Sequence, residues 1–274
     1  MRGLVIGVLL FIFLSPLIAF HLIPTKWINE KLGITLRDRL QPLEIRVGEI
    51  KRGFPYRVSI NDLEVDYKQK DLLRIINLES SVNPYGFIRM PFNLSARASV
   101  GRGNLRTAIS FSPEEIRIYA ETDPIEISDI PVSTRFRAVQ RGFARLRLWL
   151  ERPEGDIKGV GLVEITGLGM KDLNINNGRF PTSRVYSIKG SFRIDREGIV
   201  IKDLRVEGDG FDGVFFGRLK GRRLTGTLEI YPYNSGASAL FKDFKDYRLR
   251  NELYLIPIHT DLISTLEHPF TTRQ

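Results

Sequence analysis

The stretch Arg184-Val185-Tyr186-Ser187-Ile188-Lys189-Gly190-Ser191-Phe192-Arg193-Ile194-Asp195 decides the fold class. Val185 aside, Tyr186, Ile188, Gly190, Phe192 and Ile194 fall on one parity, and Ser187, Lys189, Ser191, Arg193 and Asp195 on the other. A strand sends successive side chains to opposite faces, so this is a ribbon with one apolar and one wet face. The same alternation recurs in Leu94–Val100, Leu105–Phe111, Ile116–Glu121, Ala144–Leu150, Ile157–Ile165, Phe211–Leu219 and Leu224–Tyr231. Repetition of half-apolar ribbons predicts a mainly β chain, with a long, curved, largely antiparallel and one-sided sheet.

Two ribbons change phase midway. Tyr56, Val58 and Ile60 give way after Asn61-Asp62 to Leu63, Val65 and Tyr67, and Ile199–Val206 slips in the same way at Lys202-Asp203. Such a slip is the mark of a turn or a bulge. Lys171-Asp172-Leu173 reads as a third instance of this form. Lys68–Leu78 fits a helical turn or another strand, and Ala239–Leu249 fits a short helix. Many ribbons with one apolar face and no helices to cover them leave two solutions. The sheet closes on itself as a sandwich or barrel, or it forms a trough whose apolar lining stays partly open to a ligand or partner.

The chain divides into an apolar span (1–24), a connector (25–42), a β-rich domain (43–233) and a C-terminal tail (234–274). Between Gly3 and Pro24 there is no charged residue. A helix needs about 20 apolar residues to cross the hydrocarbon core, so this stretch predicts one transmembrane helix. Its flanks fit a cleaved signal peptide poorly, because Leu17 stands where a small residue is required before a cut after Ala19. Arg2 precedes the span, whereas Lys26, Lys31, Arg37 and Arg39 follow it. Charge counting alone therefore favours a cytoplasmic C-terminal side. In the connector, Trp27, Ile28 and Leu32 lie on one side of a short amphipathic segment suited to a membrane interface.

With no cysteine in 274 residues, the chain has neither disulfides nor thiolate chemistry. The net charge is +9, carried by 29 Arg against 12 Lys. That balance suits anionic partners, since the guanidinium fork matches phosphates and carboxylates. The densest cluster is Arg135, Arg137, Arg141, Arg145 and Arg147, with no acidic residue from Pro131 to Leu150. It reads either as the solvated outer face of a hairpin or as a set of contacts for anionic head groups. Only Phe136 and Phe143 lie between these arginines, too few for an extended base-stacking platform, so nucleic acid is not expected.

No motif supports catalysis. Gly208-Asp209-Gly210-Phe211-Asp212-Gly213 has the spacing of a dinucleotide fingerprint, but a strand pattern follows it where a helix is required. Asp172–Gly178 begins like a calcium loop, yet Asn177 and Ser183 stand where glycine and a bidentate glutamate belong, so a hairpin turn is expected. His21, His259 and His268 are too dispersed for a metal site or triad, and no Gly-x-Ser-x-Gly elbow is present. Neither an enzyme nor a cofactor is expected. The working surface is expected to be the apolar face, with Tyr186, Ile188, Phe192 and Ile194 as candidate lipid contacts.

The segments "VGEIKRGFPYRVSINDLEVDY", "IEISDIPV", "GDIKGVGLVEITGLGMKDLNI", "IDREGIVIKDLRVEGDGFDGVFFGRLKG" and "RRLTGTLEIYP", behind a single N-terminal span, resemble the type II secretion system protein N (GspN) family. The resemblance covers roughly 43–233 and extends in build to AsmA-like and TamB-like envelope proteins. It implies a single-pass bacterial inner-membrane protein with a periplasmic β domain. Its implied partners are the inner membrane and other type II secretion subunits. The AsmA-like alternative is a lipid-binding or lipid-transfer module for phospholipid or another acyl lipid. The resemblance implies no catalytic residue.

Overall fold

The computed structural model describes residues 43–53, 56–67, 71–82, 92–112, 114–130, 138–153, 157–249 and 253–262. The expected membrane span, the connector, Arg135 and Arg137 lie outside them. Among the described residues no helix is long and apolar enough to cross a membrane.

The chain is dominated by one antiparallel sheet. Its strands are β1 (Leu43–Val47), β2 (Ile50–Gly53), β3 (Arg57–Tyr67), β4 (Asp71–Val82), β5 (Phe92–Val100), β6 (Gly103–Phe111), β7 (Glu115–Thr122), β8 (Ile125–Glu126), β9 (Val139–Pro153), β10 (Lys158–Met170), β13 (Val185–Asp195), β14 (Gly198–Gly208), β15 (Phe211–Lys220), β16 (Arg223–Pro232) and β17 (Tyr254–Asp261). β11 (Leu173–Ile175) and β12 (Gly178–Phe180) form a separate hairpin. Strands follow one another in a meander, with β1 and β2 both on β3 at one edge and β17 at the other. The two edges do not pair with each other, and the second sheet has only two strands. Strand pairing among the described residues thus closes neither a barrel nor a sandwich.

Lys68–Leu78, ambiguous in sequence, belongs largely to β4. The slip at Lys202 is a bulge: Ile201 pairs with Gly217 and Leu204 with Phe215, so two residues of β14 oppose one of β15. The slip in β3 falls opposite Asn77, whose φ is +52°. Lys171-Asp172-Leu173 is not a third copy, because β10 ends at Met170 and β11 begins at Leu173. The hairpin β11–β12 turns through Asn176 and Asn177, with φ of +51° and +66°, a backbone that asparagine tolerates in tight hairpins.

One margin of the sheet is covered. Phe180 of β12, together with Phe241 and Phe244 of the 3-10 segment Ala239–Tyr247, packs on Phe211, Ile230, Tyr254 and Ile256. Asn234 caps the short helix Ser235–Ser238 that leads into this segment, accepting the Ala237 N–H at 2.9 Å. The rings of Phe211 and Phe241 meet edge-on at 5.0 Å, and Phe241 lies 5.4 Å from Tyr254. Residues 234–249 and 253–262 are therefore not merely a tail. They supply a cover and the edge strand β17.

Glycine sets the thickness of the sheet where aromatic rings lie flat. A Cβ on Gly161 would penetrate the Phe192 ring, and one on Gly217 or Gly226 would meet the ring of Phe215. Gly161→Val should cost about 1–3 kcal/mol through overpacking. Phe241→Ala should cost about 3–5 kcal/mol, because the cover loses its central ring. Denaturant midpoints measure both effects, and an unchanged midpoint for Phe241→Ala would remove the cover from the account.

Candidate functional site

Strand register turns the alternating pattern into rows that cross the sheet. One row runs Leu94, Ile109, Ile118, Leu150, Gly159, Ile194, Ile199, Leu219 and Leu224. The next runs Ala96, Thr107, Ala120, Leu148, Gly161, Phe192, Ile201, Gly217, Gly226 and Ile258. A third includes Ala98, Leu105, Leu146, Val163, Gly190, Leu204, Phe215, Leu228 and Ile256. None of these rows holds an acid or a base. Arg152, opposite Ile116, marks the end of the apolar zone.

Burial changes along the strands. At the covered margin Phe211, Ile230 and Ile256 are fully buried and Val185 nearly so, and Val100 and Ile125, outside that cluster, are also buried. In the first row, at the opposite strand ends, Leu94, Ile109, Ile118, Leu150, Ile194, Ile199, Leu219 and Leu224 are only half-buried. The face is thus walled on one side and accessible on the other. Its side chains are aliphatic, aromatic or glycine with a few threonines, so it offers a ligand contact and dehydration.

The expected lipid-contacting residues separate into two groups. Ile188, Phe192 and Ile194 lie on this face in the rows beside Val206, Ile201 and Ile199. Tyr186 does not. Val185 pairs with Gly208 and Ser187 with Glu207, which inserts Tyr186 as an extra residue. Val185 takes the inward place at 2% exposure and Tyr186 is left 49% exposed. The Tyr186 side chain lies instead near Tyr233, whose hydroxyl donates to Asp212 at 2.9 Å. That donation, with partial burial and the nearby Asp212 charge, pushes the Tyr233 phenol up to about 12.

The described arginines of the cluster, Arg141, Arg145 and Arg147, are not at the rim of the apolar face. Arg145 and Arg147 alternate with Leu146 and Leu148 and point to the opposite face. Both donate to Glu121, at 3.0 and 2.8 Å. Tyr119 donates its hydroxyl to the same carboxylate at 2.8 Å. Arg141 is exposed beside Gly169. The described part of the cluster is mainly a cross-strand ion-pair network on the wet face. Similar pairs, Arg74 with Asp62 at 2.6 Å and Lys189 with Glu164 at 3.4 Å, recur on that face.

The wet face also carries apolar side chains that a single-parity reading misses. Phe143, Trp149, Val160, Leu162 and Phe216 are 39–50% exposed there. Consecutive apolar residues, Leu148-Trp149-Leu150 and Leu162-Val163, are their signal in the sequence.

Comparison with family models, curated proteins and solved structures found no match.

The Glu121 network has a pH signature. The hydroxyl of Tyr119 and the guanidinium groups of Arg147 and Arg145 hold its carboxyl well below the ordinary 4.5, at about 2. A carboxylate with a depressed folded pKa adds stability above its unfolded value, and that contribution fades as the pH falls from about 4.5 to about 2. The stability gap between the parent chain and Glu121→Gln should therefore be largest at neutral pH and shrink over this window. Urea denaturation at neutral pH and at pH near 3 tests it, and a pH-independent gap would contradict the network.

Proposed function

We propose that the chain is a non-catalytic lipid-binding or lipid-transfer module whose working surface is the uncharged apolar face. The supporting observation is the registered set of charge-free rows, buried at one margin and half-exposed at the other. Ten strands, from β5 to β17, contribute to these rows. At a spacing of about 4.8 Å they give the face a breadth of roughly 43 Å, enough for an extended acyl chain laid across the strands. Each methylene removed from water contributes about 0.8 kcal/mol, so a chain is held firmly without specific polar contacts. Half-buried apolar surface continuous over adjoining strands suits an apolar ligand or partner.

The sequence resemblance extends the proposal. It makes the chain a GspN-like component of the type II secretion system, anchored in the bacterial inner membrane through residues 1–24, with the β domain in the periplasm. In that setting the face serves acyl lipid while other secretion subunits are its protein partners. These placements rest on the resemblance and on the uncharged N-terminal span.

Delipidated full-length protein should take up a fluorescent fatty acid saturably at micromolar concentration. Leu148→Asp puts a charge into the middle row and should reduce uptake at least tenfold. Leu162→Asp alters the other face and should leave uptake unchanged. Absence of uptake by the parent chain, or equal loss in both variants, would overturn the assignment.

A further inference from the structure

The opposite, wet face contains a second recess, independent of the lipid proposal. Register aligns Ser81, Ser95, Ala108, Tyr119 and Trp149 in one row. Beside it Asn93, Ser110, Arg117 and Glu151 form another. Three neighbouring strands thus contribute only small side chains at Ser81, Ser95, Ala108 and Ser110, and then two adjacent strands contribute large rings. The result is a gap in the side-chain layer, a groove of about 460 Å³ with an aromatic wall. This volume lies within the range of small-molecule clefts.

The wall is held in place. The rings of Tyr119 and Trp149 are 5.4 Å apart and tilted by 48°. Tyr119 is tied through its hydroxyl to Glu121, which is in turn gripped by Arg145 and Arg147. The indole remains 39% exposed on this support. Pre-organised aromatic surface lowers the entropy cost of binding.

The charge of the rim selects among ligands. Arg117 is paired with Glu115 at 2.7 Å and stands opposite Glu151 in register. One cation facing two carboxylates does not favour an anionic head group. The floor offers hydroxyls, including the Ser81–Ser95 pair at 2.8 Å, beside an aromatic ring. A pyranose has the matching surface, an apolar C–H face for the indole and a circle of hydroxyls for serine, asparagine and carboxylate groups. We propose that this groove binds a neutral oligosaccharide, with Trp149 as the stacking platform.

The chain has two tryptophans, Trp27 and Trp149, so Trp27→Phe leaves Trp149 as the sole indole reporter. Full-length Trp27→Phe protein is kept in lauryldimethylamine oxide, which carries no sugar head group. It is titrated with chitotriose, cellotriose and maltotriose, and separately, after the detergent is removed on a hydrophobic resin, with dioleoylphosphatidylglycerol vesicles. At least one oligosaccharide should shift the Trp149 emission saturably. Ala108→Phe and Ser95→Leu each fill the groove floor and keep Trp149 as the reporter. Each should weaken that response at least tenfold with the circular dichroism spectrum unchanged. Ser95 is exposed, so its variant keeps the test valid if Ala108→Phe fails to fold. No saturable response to any of the three sugars overturns the proposal. So does a response unaffected by both fillings, or one given only by the vesicles, which would assign the aromatic surface to a membrane.

Discussion

Antiparallel register couples the parity of each strand to that of its neighbour. Once Leu148 is paired with Gly161 and Gly161 with Phe192, the inward residues of three strands are determined together. A one-residue slip anywhere would carry charged side chains into the apolar face. The bulge at Lys202 is placed where the sequence itself changes phase, whereas the one at Tyr186 interrupts an apparently continuous alternation, and both restore alignment. Ile188 and Val206, and Leu204 and Phe215, consequently meet across strands whose sequences do not share one uninterrupted alternation. The continuity of the apolar face depends on these corrections as much as on the alternation.

The two margins of that face have different chemistry because the cover is local. Hairpin β11–β12 and the Ala239–Tyr247 segment carry Phe180, Phe241 and Phe244, rings large enough to dehydrate the strand ends near Phe211 and Tyr254. The far strand ends have half-buried aliphatic side chains and no comparable aromatic cluster among the described residues. Glycines 161, 217 and 226 let Phe192 and Phe215 lie along the sheet rather than rise from it. Flat rings keep the middle of the face low, which suits a surface on which a slender apolar chain is laid.

Much of this was legible in the alternation of Arg184–Asp195 and its repeats. The β class, the antiparallel sense and the inward set Ile188, Phe192 and Ile194 all follow from it. Tyr186 was misread because parity propagates only as far as the nearest bulge, and Val185, two residues before Ser187, competes for the same inward place. Arg145 and Arg147 looked free because their partner, Glu121, is 24 and 26 residues away in sequence and adjacent only through the pairing of β7 with β9. β17 carries Pro257, a residue that disfavours strand interiors, which fits its place at an edge. The groove beside Trp149 was invisible for a similar reason. It is made of small residues on separate strands that only register brings side by side.

The absence of cysteine makes the central claim directly measurable. Single cysteines at Leu148, on the apolar face, and at Leu162, on the other face of the neighbouring strand, can each carry a spin label in the full-length chain. Each is then mixed with a nitroxide-bearing fatty acid. Dipolar broadening at Leu148, saturable with lipid and absent at Leu162, is the result the account predicts. Equal broadening at both positions, or none at Leu148, would contradict an apolar face that binds acyl chains.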